Sequence, residues 1–97
     1  MITAKEARIK TEAFVCGRDL ADARRLLRLI EEKIEIEIQA GRYHLNITVD
    51  TGYAEEEFMP HSISIVCDEM RELEYGFNYS FTLSEINTTV CKMEILW

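Results

Sequence analysis

Along the first forty residues an apolar or small side chain recurs at Ile9, Ala13, Cys16, Leu20, Ala23, Leu27, Ile30 and Ile34, at intervals of four and three. That is the repeat of a helix with one apolar face. Leu26, Leu29 and Ile38 widen the stripe toward the C-terminal half, as a helix seated on a core requires. Thr3 followed by Glu6 has the form of a capping box. Gly41, in "QAGRY", offers the left-handed residue at which helices end. The spacing therefore predicts a helix over 4–40. Gly17 costs about 1 kcal/mol against alanine in a helix interior. Asp19 just after it suits the cap of a second helix, so a helix broken near residue 17 is the alternative.

Beyond Gly41 the period falls to two. In "RYHLNITVD" Tyr43, Leu45, Ile47 and Val49 alternate with His44, Asn46, Thr48 and Asp50, a half-buried strand. "TGYAEEEFMP" has the composition of a loop. In "HSISIVCDEMREL" Ile63, Val66, Met70 and Leu73 return to helical spacing behind Pro60 and Ser62, which suit a helix start. "YGFNYSFTL" places Phe77, Tyr79, Phe81 and Leu83 on one side, and "SEIN" is a polar turn. In "TTVCKMEILW" Cys91, Met93, Ile95 and Trp97 share a face. The order is α-β-α-β-β. One three-stranded sheet with both helices on one face covers every apolar side, so the expected fold is α+β, a two-layer α/β sandwich. The first strand, second helix and second strand should form a right-handed crossover, with the last two strands an antiparallel hairpin. The chain is one domain, 1–97, with a long helix over 1–40 and a β-α-β-β body over 41–97.

This architecture has a length problem. A helix over 4–40 is about 55 Å long, whereas strands of seven to nine residues span about 25–30 Å. The sheet reaches only the half of the helix nearest Gly41. The projecting half carries Ile9, Ala13, Phe14, Val15 and Cys16, with Leu20 at its base, too apolar to stay wet on a monomer. A second copy of the chain is the simplest cover, because a sustained seam of threes and fours suits helix pairing. Ile9, Ala13, Phe14, Cys16 and Leu20 are the candidate homo-oligomer interface. A helix broken at Gly17 could instead fold back and leave a monomer. Trp97, the last residue, follows the alternation of its strand, which predicts a core anchor at the chain end. An indole buries about 200 Å².

Net charge is −7, which argues against nucleic acid as a partner. The charge is uneven: residues 1–28 hold seven cations against four carboxylates, a balance of +3 that leaves −10 for the remainder. A basic N-terminal arm could thus lie on the acidic body of a neighbour. No segment approaches the roughly 20 apolar residues of a membrane span. "MITAKEARIK" carries charges where a secretory h-region should be. Cys16, Cys67 and Cys91 are odd in number and lack CxxC spacing, as suits reduced thiols in a cytosol.

Candidate chemistry is sparse. His44 and His61 form no HxH or HExxH pattern, and no GxSxG, P-loop or GxGxxG is present, so no catalytic residue, cofactor or metal is expected. Asp50, Glu55, Glu56 and Glu57 do not match the spacing of a calcium loop and suit a solvated acidic loop. Arg18, Arg24, Arg25 and Arg28, interleaved with Asp19, Asp22, Glu31 and Glu32, suit an ion-pair face more than a phosphate site. The polar side of the sheet (His44, Asn46, Thr48, Asn78, Ser80, Thr82, Lys92, Glu94) is the one surface that could seat a modest ligand.

The opening "ITAKEARIKTE", the helix end "EIQAGRYHLNI" and the final "MEILW" resemble small uncharacterised proteins of phages and prophages of low-GC Gram-positive bacteria. The resemblance covers both ends of the chain and its element order. It departs at Leu73-Glu74-Tyr75-Gly76, where relatives tend to carry LGY. It implies no activity or cofactor, but a mobile-element context, a bacterial host cytosol and a protein-contact role. The expectation is therefore a non-enzymatic assembly protein. A nucleic-acid-associated factor using the basic helix, or a ligand binder using the polar sheet face, are the alternatives.

Overall fold

The computed structural model describes Met1 and residues 3–97, except for the side chain of Val15. The N-terminal repeat is one unbroken helix, α1 (Ala4–Gln39), of 36 residues. It passes through Gly17 without a break, and that glycine faces open space. At its start Thr3 Oγ1 accepts from the Glu6 amide at 3.2 Å. At its end Gly41 takes φ +76, the Gly41 amide donates to Ile38 O at 3.0 Å and the Arg42 amide to Glu37 O at 2.9 Å. This pair of reversed bonds is a Schellman motif, which satisfies carbonyls that the helix end would otherwise leave open.

The other elements are β1 (His44–Asp50), α2 (Pro60–Glu72), β2 (Gly76–Leu83) and β3 (Thr89–Leu96). The sheet order is β1-β3-β2, with both pairings antiparallel. The expected β2–β3 hairpin is present, closed by Ser84 and Asn87. The first and second strands are parallel to one another, and β3 lies between them. The register aligns Leu45, Ile95 and Phe77 in one row and Val49, Cys91 and Phe81 in another.

The core lies between this sheet face and the two helices. Leu26, Ile30, Ile63, Val66, Cys91 and Ile95 are fully buried. Each such aliphatic side chain contributes about 1.5–3 kcal/mol. Among the described side chains of α1, the buried ones are Asp19, Asp22, Ala23, Leu26, Ile30 and Ile34. Among the described side chains, none before Asp19 is buried.

Two expected faces are only partly covered. On β2 only Phe77 is buried, while Tyr79, Phe81 and Leu83 rise from 39% to 70% exposed. β2 is an edge strand, and α2 reaches it near its start, where Arg71 donates to Phe77 O at 3.2 Å. The far end of β2 has no helix over it, and its rings stack on one another instead, Tyr79 on Phe81 at 5.9 Å. Trp97 is half-buried and closes one end of the core. Its ring meets Tyr75 edge-on at 6.3 Å, and its amide donates to Tyr43 O at 3.0 Å.

The end of α2 repeats the reversed-bond motif, Glu74 to Arg71 O and Tyr75 to Met70 O, both 3.0 Å. Here the left-handed position, φ 71, is filled by Glu74. A glycine there relieves the clash of Cβ with backbone. Glu74→Gly is therefore expected to raise unfolding free energy by about 1 kcal/mol, read as a higher urea midpoint at unchanged slope.

Candidate functional site

The candidate interface residues all stand in the open. Ala13 and Cys16 are exposed, and Ile9, Phe14 and Leu20 are 56%, 70% and 51% exposed. Val15 lies outside the described side chains. At about 100° per residue, Ile9, Ala13, Cys16 and Leu20 fall on one face of α1. Phe14 points about 130° away from that face. The arm thus has a coherent seam of four residues, with Phe14 apart from it.

The projection begins at a clamp on the middle of α1. The carboxylate of buried Asp22 accepts from the Met59 amide at 2.8 Å and so holds the N-cap residue of α2. Arg25 stands 3.3 Å from its other oxygen and Arg18 3.7 Å away. Both arginines also grip the loop between β1 and α2. Arg18 donates to the carbonyls of Tyr53 and Ala54, and Arg25 to that of Glu57 at 2.9 Å. The Arg25 guanidinium also lies 4.0 Å from the Phe58 ring centroid, a cation–π contact. The arginines expected on an ion-pair face thus divide: Arg18 and Arg25 build the clamp, while Arg24 and Arg28 stay exposed.

The acidic loop folds on itself. Glu57 Oε1 accepts from the Ala54 amide at 3.0 Å, and a Cβ on Gly52 would stand 2.7 Å from that same oxygen. Phe58 and Met59 are buried. Neither the anchoring of this loop nor the role of Asp22 shows in the local pattern, since both depend on contacts across more than thirty residues. Among the described residues, no three His, Cys, Asp or Glu side chains gather closely enough to hold a metal ion. His44 opens β1 and His61 opens α2, at opposite ends of the sheet. Burial pushes the Cys91 thiol up to about 11, so it stays neutral within the core.

Two concavities flank these elements. One, about 440 Å³, is a shallow hollow on the helix-free side of the sheet. Its side chains are Asn46, Thr48, Asn78, Ser80, Lys92 and Glu94, as the alternation requires. It is open to solvent, without the enclosing walls of a typical small-molecule pocket. The other, about 320 Å³, lies between the C-terminal halves of α1 and α2. Leu27, Ile34, Ile38, Met70 and Leu73 line it, with Glu31, Glu35 and Glu69 among them.

Asp22→Ala leaves the buried Met59 amide without its acceptor and removes the carboxylate between Arg18 and Arg25, which keep their loop carbonyls. The expected cost is about 2–3 kcal/mol in urea unfolding. Asp19→Ala should cost less, because the buried Asp19 Oδ1 has no hydrogen-bond partner to lose. No family model matches the chain, and neither a curated protein nor a solved structure matches it, so its function is read from its own surfaces.

Proposed function

We propose that this chain is an assembly protein that works through protein contacts, with the first half of α1 as its arm. The observation that carries this reading is the uncovered seam of Ile9, Ala13, Cys16 and Leu20 on a helix that continues well past its own core. A partner that covers this seam removes from water the apolar side chains that the arm's own sheet does not reach. A second copy is the partner of choice because small Ala13 and Cys16 allow close helix approach.

In this reading the protein is non-enzymatic. The resemblance to small phage and prophage proteins supports the same role, in the cytosol of a bacterial host. Among the described residues, no helix is long and apolar enough to cross a membrane. A nucleic-acid role is less well supported, because Arg18 and Arg25, two of the four clustered arginines, are engaged in the clamp.

The test is light scattering after gel filtration on the full chain and on the double variant Ile9→Asp, Ala13→Asp. The full chain should be heavier than its 11.3 kDa protomer, and the variant should fall to that mass with its helical signal retained. A full chain that stays monomeric at high micromolar concentration would overturn the reading.

A further inference from the structure

The uncovered arm has a surface of matching character on the same molecule, too far along α1 to reach it. The groove between α1 and α2 has an apolar floor that is still open: Ile38 is 49% and Leu73 63% exposed. The charged side chains lining it are carboxylates, Glu31, Glu35 and Glu69. The arm is cationic on balance, with Lys5, Arg8 and Lys10 against Glu6 and Glu12 around Ile9 and Ala13. We propose that the groove receives the arm of a second copy, so that two chains exchange arms. This rests on the assembly reading and adds the receiving surface.

Helical geometry supports a reciprocal exchange. Leu27, Ile34 and Ile38 fall on the same side of α1 as Ile9, Ala13 and Leu20, so arm seam and groove wall form one continuous stripe. A two-fold axis crossing α1 between Ala23 and Arg24 runs the two copies antiparallel. It sets Ile9 against Ile38, Ala13 against Ile34 and Leu20 against Leu27 of the second copy. Both arms are then seated at once, and the contact is closed, as an isologous dimer requires. On the α2 side of the seam, Arg8 stands beyond the wall carrying Glu69, with Glu12 between them. On the other side Lys10 approaches Glu35. The charged lining of the groove is wholly acidic and the arm is cationic on balance, so arm-in-groove pairing brings opposite net charges together.

Charge exchange tests this on the full chain. Lys5→Glu, Arg8→Glu, Lys10→Glu reverses the arm, and Glu31→Lys, Glu35→Lys, Glu69→Lys reverses the groove. By light scattering at low salt, the unmodified chain should have twice the 11.3 kDa protomer mass and each triple variant alone that of one protomer. An equimolar mixture should return to the dimer mass, because each reversed arm then meets a reversed groove. That recovery would also show that both variants fold. A mixture that remains monomeric overturns the proposal. So does a dimer unmoved by either reversal, which leaves self-association standing with another surface. A monomeric unmodified chain overturns both.

Discussion

A helix of 36 residues, about 54 Å long, shares a molecule with strands of seven and eight residues, about 25 Å long. Most of the structure follows from this mismatch. The sheet can bury one segment of α1, and the burial begins at Asp19 and ends at Ile34. The clamp of Asp22, Arg18 and Arg25 fixes which segment that is. It ties the middle of α1 to the loop before α2 and to the Met59 amide at the N-cap of α2. With that point held, the helix must project to one side by the length the sheet cannot cover.

The clamp also compensates for what α2 lacks. Met59 stands at its N-cap without a side-chain oxygen of its own, and Pro60 supplies no amide. The acceptor comes from another helix, so α2 is capped only when α1 is in place. Secondary and tertiary structure are coupled there through one carboxylate. The cost of burying that carboxylate is offset by a backbone donor and two guanidinium groups around it.

Much of the architecture was legible because its signals are local. Thr3, Gly41 and the run of threes and fours mark α1, and strict alternation marks three strands. The projection of α1 followed from counting residues. What escaped was set by distant contacts. The alternation of Phe77, Tyr79, Phe81 and Leu83 predicts a buried face, but it cannot show that α2 meets only the start of an edge strand. Phe58 and Met59 sit in a segment of loop composition, yet Arg25 and the core fix them. The position of β3 between the other strands leaves no periodic mark. Within the candidate interface, the four-residue seam was readable from spacing, whereas Phe14 belongs to a different side of the helix. The groove could not be read at all, because Ile38 and Leu73 become neighbours only after α1 and α2 are placed side by side.

Arm and groove make a closed account of why an α1 this long carries apolar residues along its whole length. Its most direct measurement is the distance between two spin labels, one per chain, placed at Thr11→Cys in a Cys16→Ser background. Cys67 and Cys91 are buried and stay unlabelled. Exchange of arms in the antiparallel register predicts a separation of about 40 Å, from roughly 25 residues of helical rise plus the interhelical spacing. A distance near 15 Å, as antiparallel pairing of two arms would give from about seven residues of rise, contradicts the account, and so does the absence of any dipolar coupling between chains.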